Sequence, residues 1–162
     1  MATQSENHRR FRERLKESAK TVFLVGHYFS LRGFRVTIDG QNCAPTAAEH
    51  KKFADNGDLF IHYRGELFRI EVKGLNTEFT DIKDWPHKNF MVCAKHSYDK
   101  TLPNPPASYY LLNKSRTHAA IVKTSTYPEW FVKTTQCGNY NNVNQDFYYC
   151  PLDKVEWVTI EI

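Results

Sequence analysis

The sequence predicts a single α/β domain, and three observations support this prediction. Residues 5–33 have the hydrophobic period of an amphipathic helix. The rest of the chain divides into short apolar or alternating runs separated by Gly, Pro, Asn and Asp, which is typical of strands and turns. The 162 residues are 41% hydrophobic and contain no repeat or linker that would separate a second unit. A chain of this length and composition can bury a core of its own.

The predicted first helix carries apolar residues at steps of three and four, and we expect them to face the core. Gly33 is placed to end the helix, because glycine readily adopts the left-handed conformation that follows a C-cap. The apolar positions are Phe11, Leu15, Ala19, Val22, Phe23, Gly26 and Phe29.

Basic residues are concentrated in the first half of this helix, including Arg9, Arg12 and Lys16. Two interpretations are open for them: a nucleic-acid-binding surface that contacts phosphates, or an ordinary solvated helix face. The formal net charge of +4 permits a polyanionic partner but does not require one.

Short elements are predicted between this helix and the next long pattern. Residues 34–38 alternate and predict a first strand, which ends in a turn. Thr46 and Glu49 have the spacing of a capping box, which predicts a short helix over residues 46–53. Residues 55–57 then predict a turn that leads into Asp58.

Residues 58–74 predict a β-hairpin. Two runs, 58–63 and 67–73, are rich in strand-forming residues and flank Arg64 and Gly65, a plausible hairpin turn. If the chain reverses there, facing residues have numbers that sum to 129, and one register accounts for the whole apolar pattern. The apolar pairs are Leu59 with Ile70 and Ile61 with Phe68.

The same register gathers polar groups at one end of the hairpin. Asp58 faces Glu71 with Cβ atoms about 5 Å apart, and Lys73 follows on the face of Glu71. Two facing carboxylates repel unless a cation shares them, and Mg²⁺ or Mn²⁺ takes such oxygen ligands. The expected metal ligands are Asp58, Glu71 and the carbonyl of Val72. Lys73 would then orient the attacking water or stabilise charge on a phosphate, as phosphodiester hydrolysis requires.

An alternative interpretation of these residues is purely structural. The pattern E-x-K occurs by chance in many proteins, and a Lys73 paired with one or both acids would form an ordinary surface cluster. The facing Asp58, on a hairpin of matching register, favours the catalytic interpretation.

The hairpin resembles the motif of the PD-(D/E)xK nucleases, which share a restriction-endonuclease-like core. The matching residues are Gly57-Asp58 and Glu71-Val72-Lys73, with Gly57 where the family name has proline. The family pattern has an acidic residue on a first long helix, three strands that carry Asp and E-x-K, and then a helix and further strands. Residues 5–75 follow that layout.

The resemblance implies a restriction-endonuclease-like α/β fold, with a central mixed sheet flanked by helices, and a metal-dependent DNA endonuclease activity. Asp58, Glu71 and Lys73 would be catalytic. The helix acid would be Glu13 or Glu17, and Glu17 lies closer to the apolar stripe, although both also suit ordinary ion pairs with nearby basic residues. Members that cut both strands often use two active sites, which leaves a homodimer open. The alternative is a catalytically silent nucleic-acid-binding or protein-interaction module on the same fold.

The second half of the chain predicts five further strands. The almost wholly apolar run 90–94 is expected to be buried on both faces. Lys95 follows at its end, where a phosphate contact and an ordinary polar strand end are both compatible with the sequence. Residues 137–145 are rich in Asn and predict a loop. The predicted strands are 90–94, 108–113, 119–124, 147–150 and 155–162.

Several classes of protein are disfavoured by the sequence. No apolar run is long enough to cross a membrane, and the N-terminal residues lack the apolar core of a signal peptide. We therefore expect an intracellular, cytoplasmic protein without a membrane partner. The small size and the D-W-P after the hairpin are similar to phage-encoded nucleases, which would place the protein in the host cytoplasm. The four scattered cysteines are expected to be free thiols.

Overall fold

The computed structural model describes residues 4–39, 46, 58–137 and 143–160. Two short 3-10 helices span Thr124–Glu129 and Leu152–Lys154. The predicted helix over 46–53, apart from Thr46, and the predicted turn over 55–57 lie outside the described residues. The helices and strands are α1 (Gln4–Leu31), β1 (Arg35–Ile38), β2 (Leu59–Tyr63), β3 (Glu66–Gly74), β4 (Asn89–Ala94), α2 (Lys95–Asp99), β5 (Ser108–Leu112), β6 (His118–Lys123), β7 (Phe131–Cys137), β8 (Val143–Pro151) and β9 (Glu156–Thr159).

The described strands form two sheets. The first has the order β1-β2-β3-β5-β6-β9, and the second has the order β4-β8-β7. Strands β3 and β5 run parallel, whereas the other neighbours in both sheets run antiparallel. The predicted α/β class, with a mixed sheet and a long N-terminal helix, is confirmed.

Helix α1 covers one face of the first sheet. Val22, Val25 and Tyr28 are buried and join Ile70 and Val72 of β3 in one apolar cluster. Side chains three or four positions apart on a helix lie on one face, so this stripe accounts for how α1 binds the sheet. The prediction that Phe23 faces the core is wrong. Its side chain is 64% exposed, because it follows Val22 directly and points away from that stripe.

The end of α1 is a Schellman motif, as its glycine predicted. Gly33 has a positive φ of 82°, and its N–H donates to the carbonyl of Ser30 at 2.9 Å. The N–H of Phe34 donates to the carbonyl of Phe29 at 3.2 Å. The rings of Phe29 and Phe34 also meet edge to face, with centroids 5.8 Å apart. These contacts satisfy the last helix carbonyls and direct the chain into β1.

The second sheet covers the opposite face of the first. Tyr109 and Leu111 of β5 share a buried cluster with Phe90 and Val92 of β4 and Tyr148 of β8. Alternate residues of β5 therefore serve two cores, because Tyr110 and Leu112 belong to the cluster with α1. The thiols of Cys93 and Cys150 are buried and free, as expected for those two cysteines.

Three local features differ from the sequence prediction. Strand β7 and the short helix α2 were not predicted, and residues 143–145 lie in strand β8 rather than in a loop. The register of β7 and β8 continues to Cys137 and Val143, so backbone pairing extends into the Asn-rich segment. Pairing with a neighbouring strand overrides weak local strand propensity there. Within the described residues, no helix is long and apolar enough to span a membrane.

Candidate active site

The hairpin of β2 and β3 has the predicted register. Arg64 and Gly65 both have positive φ, 49° and 81°, as both central residues of a type I′ turn require. Leu59 pairs with Ile70 on the face that packs against α1, and the pairing continues to the turn. The numbers of the paired residues sum to 129, as expected. The register is fixed jointly by the turn and by the apolar face.

Asp58 lies immediately before β2, where the same register places it opposite Glu71. Tyr63 and Glu66, the pair next to the turn, form a hydrogen-bonded pair, and hydrogen-bonded and non-hydrogen-bonded pairs alternate from there along the two strands. Val72 therefore directs its N–H and its C=O towards the end of β2. Its N–H donates to Oδ2 of Asp58 at 2.7 Å. The Asp58 side chain thus takes the place of a backbone acceptor where the described pairing stops.

Glu71 and Lys73 lie on the sheet face away from α1. They alternate along β3 with Ile70 and Val72, which are buried against the helix. Their β5 neighbours are Tyr109 and Leu111, which belong to the core under the second sheet. The predicted motif therefore sits at the margin between the two sheets.

Arg69 is a neighbour of Glu71 that our sequence analysis did not consider. Its Nε lies 3.9 Å from Oε1 of Glu71, and both side chains are about three-quarters buried, with exposed fractions of 23% and 26%. Its Nη2 donates to the carbonyl of Asn104 at 3.0 Å, which joins β3 to the loop before β5. The sequence could have predicted that Arg69 lies beside Glu71, because residues two positions apart on a strand lie on one face of the sheet.

Lys73 has a different environment from the one that the structural interpretation requires. Among the described residues it forms no ion pair, and its Nζ lies 5.7 Å from the ring centroid of Tyr109. Burial raises the pKa of Tyr109 and also that of Cys93, while the Lys73 charge opposes the shift at Cys93. Lys73 also lines a cleft of about 750 Å³ between β3 and the second sheet. Its side chain thus reaches an open space, which neither Asp58 nor Glu71 lines.

The donor atoms at the end of the hairpin fit a hard divalent cation. Two carboxylates, from Asp58 and Glu71, and the Val72 carbonyl are oxygen donors, which Mg²⁺ and Mn²⁺ prefer. In the described part of the chain, no group of three or more His, Cys, Asp or Glu side chains is placed to hold a metal. A cation at this site would therefore depend on a backbone carbonyl and on water or substrate oxygens for its remaining ligands.

The structure places the helix acids in another layer. Glu17 is 68% exposed and lies 3.2 Å from Lys20, and Glu13 is 61% exposed and lies 2.9 Å from Arg9. Both contacts are ordinary helix ion pairs. Helix α1 covers the face opposite to Glu71 and Lys73. The structure thus brings Asp58, Glu71, Val72 and Lys73 to one end of the hairpin, whereas Glu17 lies on the helix behind it.

The basic residues considered for nucleic-acid binding fall into two groups. Arg12 and Lys16 are exposed on α1 and line a shallow depression with the ion-paired Arg9. Lys95 instead begins α2 and forms an ion pair with Asp99, and this hydrogen bond raises the pKa of Lys95. The charge of Lys95 is therefore largely compensated, whereas those of Arg12 and Lys16 remain available at the surface.

Comparisons with protein-family models, with curated proteins and with solved structures find no match to this chain. The resemblance to the nuclease family rests on the hairpin motif and on the order of elements over residues 5–75.

Proposed function

We propose that this protein is a metal-dependent DNA endonuclease that hydrolyses phosphodiester bonds at the end of the β2–β3 hairpin. The observation that carries the proposal is the convergence of Asp58, Glu71 and Lys73 in one strand register, with Asp58 tied to Val72. Lys73 without an ion pair among the described residues supports the same assignment. An E-x-K pattern that arose by chance on a solvated strand would not be expected to have an aspartate opposite its glutamate and a cleft next to its lysine.

Each residue has a separate role in the proposed reaction. Asp58 and Glu71, with the Val72 carbonyl, hold Mg²⁺ or Mn²⁺, and Val72 orients the Asp58 carboxylate through its N–H. The bound ion would supply Lewis-acid stabilisation of the phosphate and an activated water. Lys73 orients the attacking water or donates a hydrogen bond to the phosphate oxygen on which negative charge develops. Glu17 would act only from outside this group of residues and would not bind the metal, since its helix lies on the opposite face of the sheet.

The restriction-endonuclease-like core is part of the proposal. The order of α1, the β1–β2–β3 meander and a β5 strand parallel to β3 supports it. One feature differs from the layout that the resemblance implies. Between β3 and β5 the chain forms β4 and the short α2, whereas the family layout has a helix directly after the three strands.

A second candidate is a nucleic-acid-binding module without turnover, and one contact favours it. Arg69 lies beside Glu71 and partly neutralises it, which lowers the need for a metal cation there. This module would use the exposed Arg12 and Lys16 for phosphate contacts and keep the hairpin acids as a structural cluster.

The two candidates are separated by a cleavage assay on the purified protein. Plasmid, single-stranded and branched DNA are each incubated with Mg²⁺, Mn²⁺ or a chelator, beside the Glu71→Gln variant. The nuclease proposal expects metal-dependent cleavage that Glu71→Gln abolishes. Equal DNA binding by both proteins, with cleavage by neither at any metal concentration, would support the binding module instead. A thermal melt of Glu71→Gln controls for folding.

A further inference from the structure

The outer face of the second sheet carries a concave groove that the proposed catalytic residues do not explain. A cavity of about 680 Å³ lies beside the Lys73 cleft, and Leu75, Met91 and Thr135 line both. Volumes of about 300–1,000 Å³ are usual for pockets that hold small ligands. The two cavities therefore adjoin at these residues, and we call them together the groove, with Lys73 at one end and Trp85 at the other.

The far part of this groove presents two aromatic rings. Trp85 lines it, and its ring stacks on Phe90 with centroids 4.5 Å apart, while its Nε1 donates to the carbonyl of Asn89 at 3.2 Å. Tyr149 lines the sheet side, and its hydroxyl lies 3.0 Å from Oγ1 of Thr135. Tyr149 also packs on Phe131, with nearly parallel rings and centroids 5.8 Å apart, so both aromatic side chains are held in place at the wall of the groove. Fixed aromatic side chains are suited to stacking on a flat ring.

The formally charged side chains that line the groove are all lysines, so its charge is positive. Lys88 and Lys133 are exposed beside the aromatic rings, and Lys73 lies at the other end. Among the described residues that line the two cavities, none is Asp or Glu. A chain of negative charges with flat apolar rings would match both the cations and the aromatic wall.

We propose that this groove binds unpaired nucleotides of the DNA substrate, with bases stacked on Trp85 and Tyr149 and phosphates near Lys88 and Lys133. The inference rests on the proposed function and names its substrate class, since the groove leads to Lys73. Bases inside a duplex already stack on one another and cannot offer their faces to a protein ring without being extruded. The groove therefore favours single-stranded or branched DNA over a continuous duplex.

Equilibrium binding tests this inference without any catalysis. Fluorescence anisotropy in a chelator compares a fluorescein-labelled thymidine oligonucleotide of about 12 nucleotides with a blunt duplex of the same length. We expect tighter binding of the single strand. Tyr149→Leu should weaken single-strand binding about five- to a hundredfold, the usual range for loss of one stacked base, and should leave duplex binding unchanged. Trp85→Leu should act likewise, with a thermal melt to identify any loss of folding.

A charge-matched pair of variants tests the phosphate contacts. Lys88→Gln should lower the log–log salt slope for the single strand by about 0.7. Lys154→Gln removes the same charge from an exposed position outside the groove and should leave the slope unchanged. Unaltered binding by folded Tyr149→Leu and Lys88→Gln, or a preference for duplex, would overturn the inference. Displacement of the oligonucleotide by polyglutamate at equal charge concentration would also overturn it, because charge alone would then suffice.

The two proposals fail in different ways. Stacking-dependent single-strand binding by a protein that never cleaves with Mg²⁺ or Mn²⁺ would remove the nuclease proposal and leave the groove assignment standing. Metal-dependent cleavage that is indifferent to Tyr149→Leu and prefers duplex DNA would do the reverse.

Discussion

The carboxylate of Asp58 accepts a hydrogen bond of 2.7 Å from the backbone N–H of Val72. This contact ties the residue that opens the hairpin to the strand that carries Glu71 and Lys73. Asp58 therefore has two separable properties. Its oxygen atom accepts the hydrogen bond that supports the hairpin, and its negative charge would attract a metal cation.

Substitution of Asp58 can therefore separate stability from activity. Asp58→Asn keeps an oxygen that can accept from Val72, so we expect near-normal stability with loss of Mn²⁺ binding and of cleavage. Asp58→Ala removes the acceptor and should lower the free energy of unfolding by about 1 kcal/mol. Urea unfolding in a chelator, Mn²⁺ titration calorimetry and cleavage measure the three quantities. Equal stability of the two variants would show that the hydrogen bond contributes nothing, and cleavage by Asp58→Asn would remove Asp58 from the metal site.

Substitution of Arg69 should strengthen metal binding, whereas substitution of Asp58 should weaken it. Its guanidinium lies 3.9 Å from Glu71 at a partly buried position, so it disfavours a second cation there. Arg69→Gln should strengthen Mn²⁺ binding by about two- to tenfold, the effect of removing one nearby charge at an intermediate dielectric constant. Arg64→Gln, at the exposed hairpin turn, removes an equal charge and should have a smaller effect. Metal affinity that falls in Arg69→Gln, with the fold intact by thermal melt, would contradict a cation at Glu71.

The hairpin could be predicted from the sequence because two independent patterns agree there. A two-residue turn fixes the pairing, and Leu59 with Ile70 confirms it through burial, since a slip by one residue would expose both. The first strand was predicted from its alternating pattern, and β5 and β6 from short apolar runs, without a two-residue turn to fix their pairing. The placement of the candidate residues Asp58, Glu71 and Lys73 could be predicted because a strand register converts sequence spacing directly into shared faces.

Features that depend on distant parts of the chain could not be predicted in this way. Strand β7 exists through its pairing with β8, and its first residue Phe131 is 38% exposed, so it lacks a buried alternating pattern. Asn113 has no exposed side-chain area and donates from Nδ2 to Glu78 and to the carbonyl of Phe79. Its partners lie 35 and 34 residues away in the sequence, so no local pattern predicts that this asparagine is buried. The groove beside Trp85 likewise forms only when β4, β7 and β8 assemble.

The basic face of α1 is testable through its salt dependence. Arg12 and Lys16 are exposed, whereas Arg9 is ion-paired with Glu13 at 2.9 Å. If the first two contact phosphates, changing both to Gln should lower the log–log salt slope for duplex binding by about 1.8, since each contact contributes about 0.9. Arg9→Gln should lower it by less. Lys154→Gln serves as the control of equal charge, and an unchanged slope in the double variant would identify a solvated helix face.

Lys73 provides the sharpest test of the proposed chemistry, because it is not a metal ligand. Lys73→Ala should retain Mn²⁺ binding, since Asp58, Glu71 and Val72 are untouched. Cleavage should fall a hundredfold or more, as loss of one group that stabilises transition-state charge costs roughly 3 to 4 kcal/mol. Stability should change little, because the Lys73 ammonium forms no ion pair among the described residues and lies 5.7 Å from the Tyr109 ring centroid.

A structural role for Lys73 makes the opposite prediction. If it stabilises the facing acids, Lys73→Ala should lower the melting temperature of the metal-free protein and leave the cleavage rate unchanged. Metal titration, single-turnover cleavage and thermal melts on Lys73→Ala, Lys73→Arg and the wild type distinguish the two accounts. Lys73→Arg preserves the charge but changes the geometry of the donor, so partial cleavage by this variant would assign the effect to charge stabilisation. Cleavage that survives Lys73→Ala combined with Asp58→Asn would rule out the hairpin as the catalytic site.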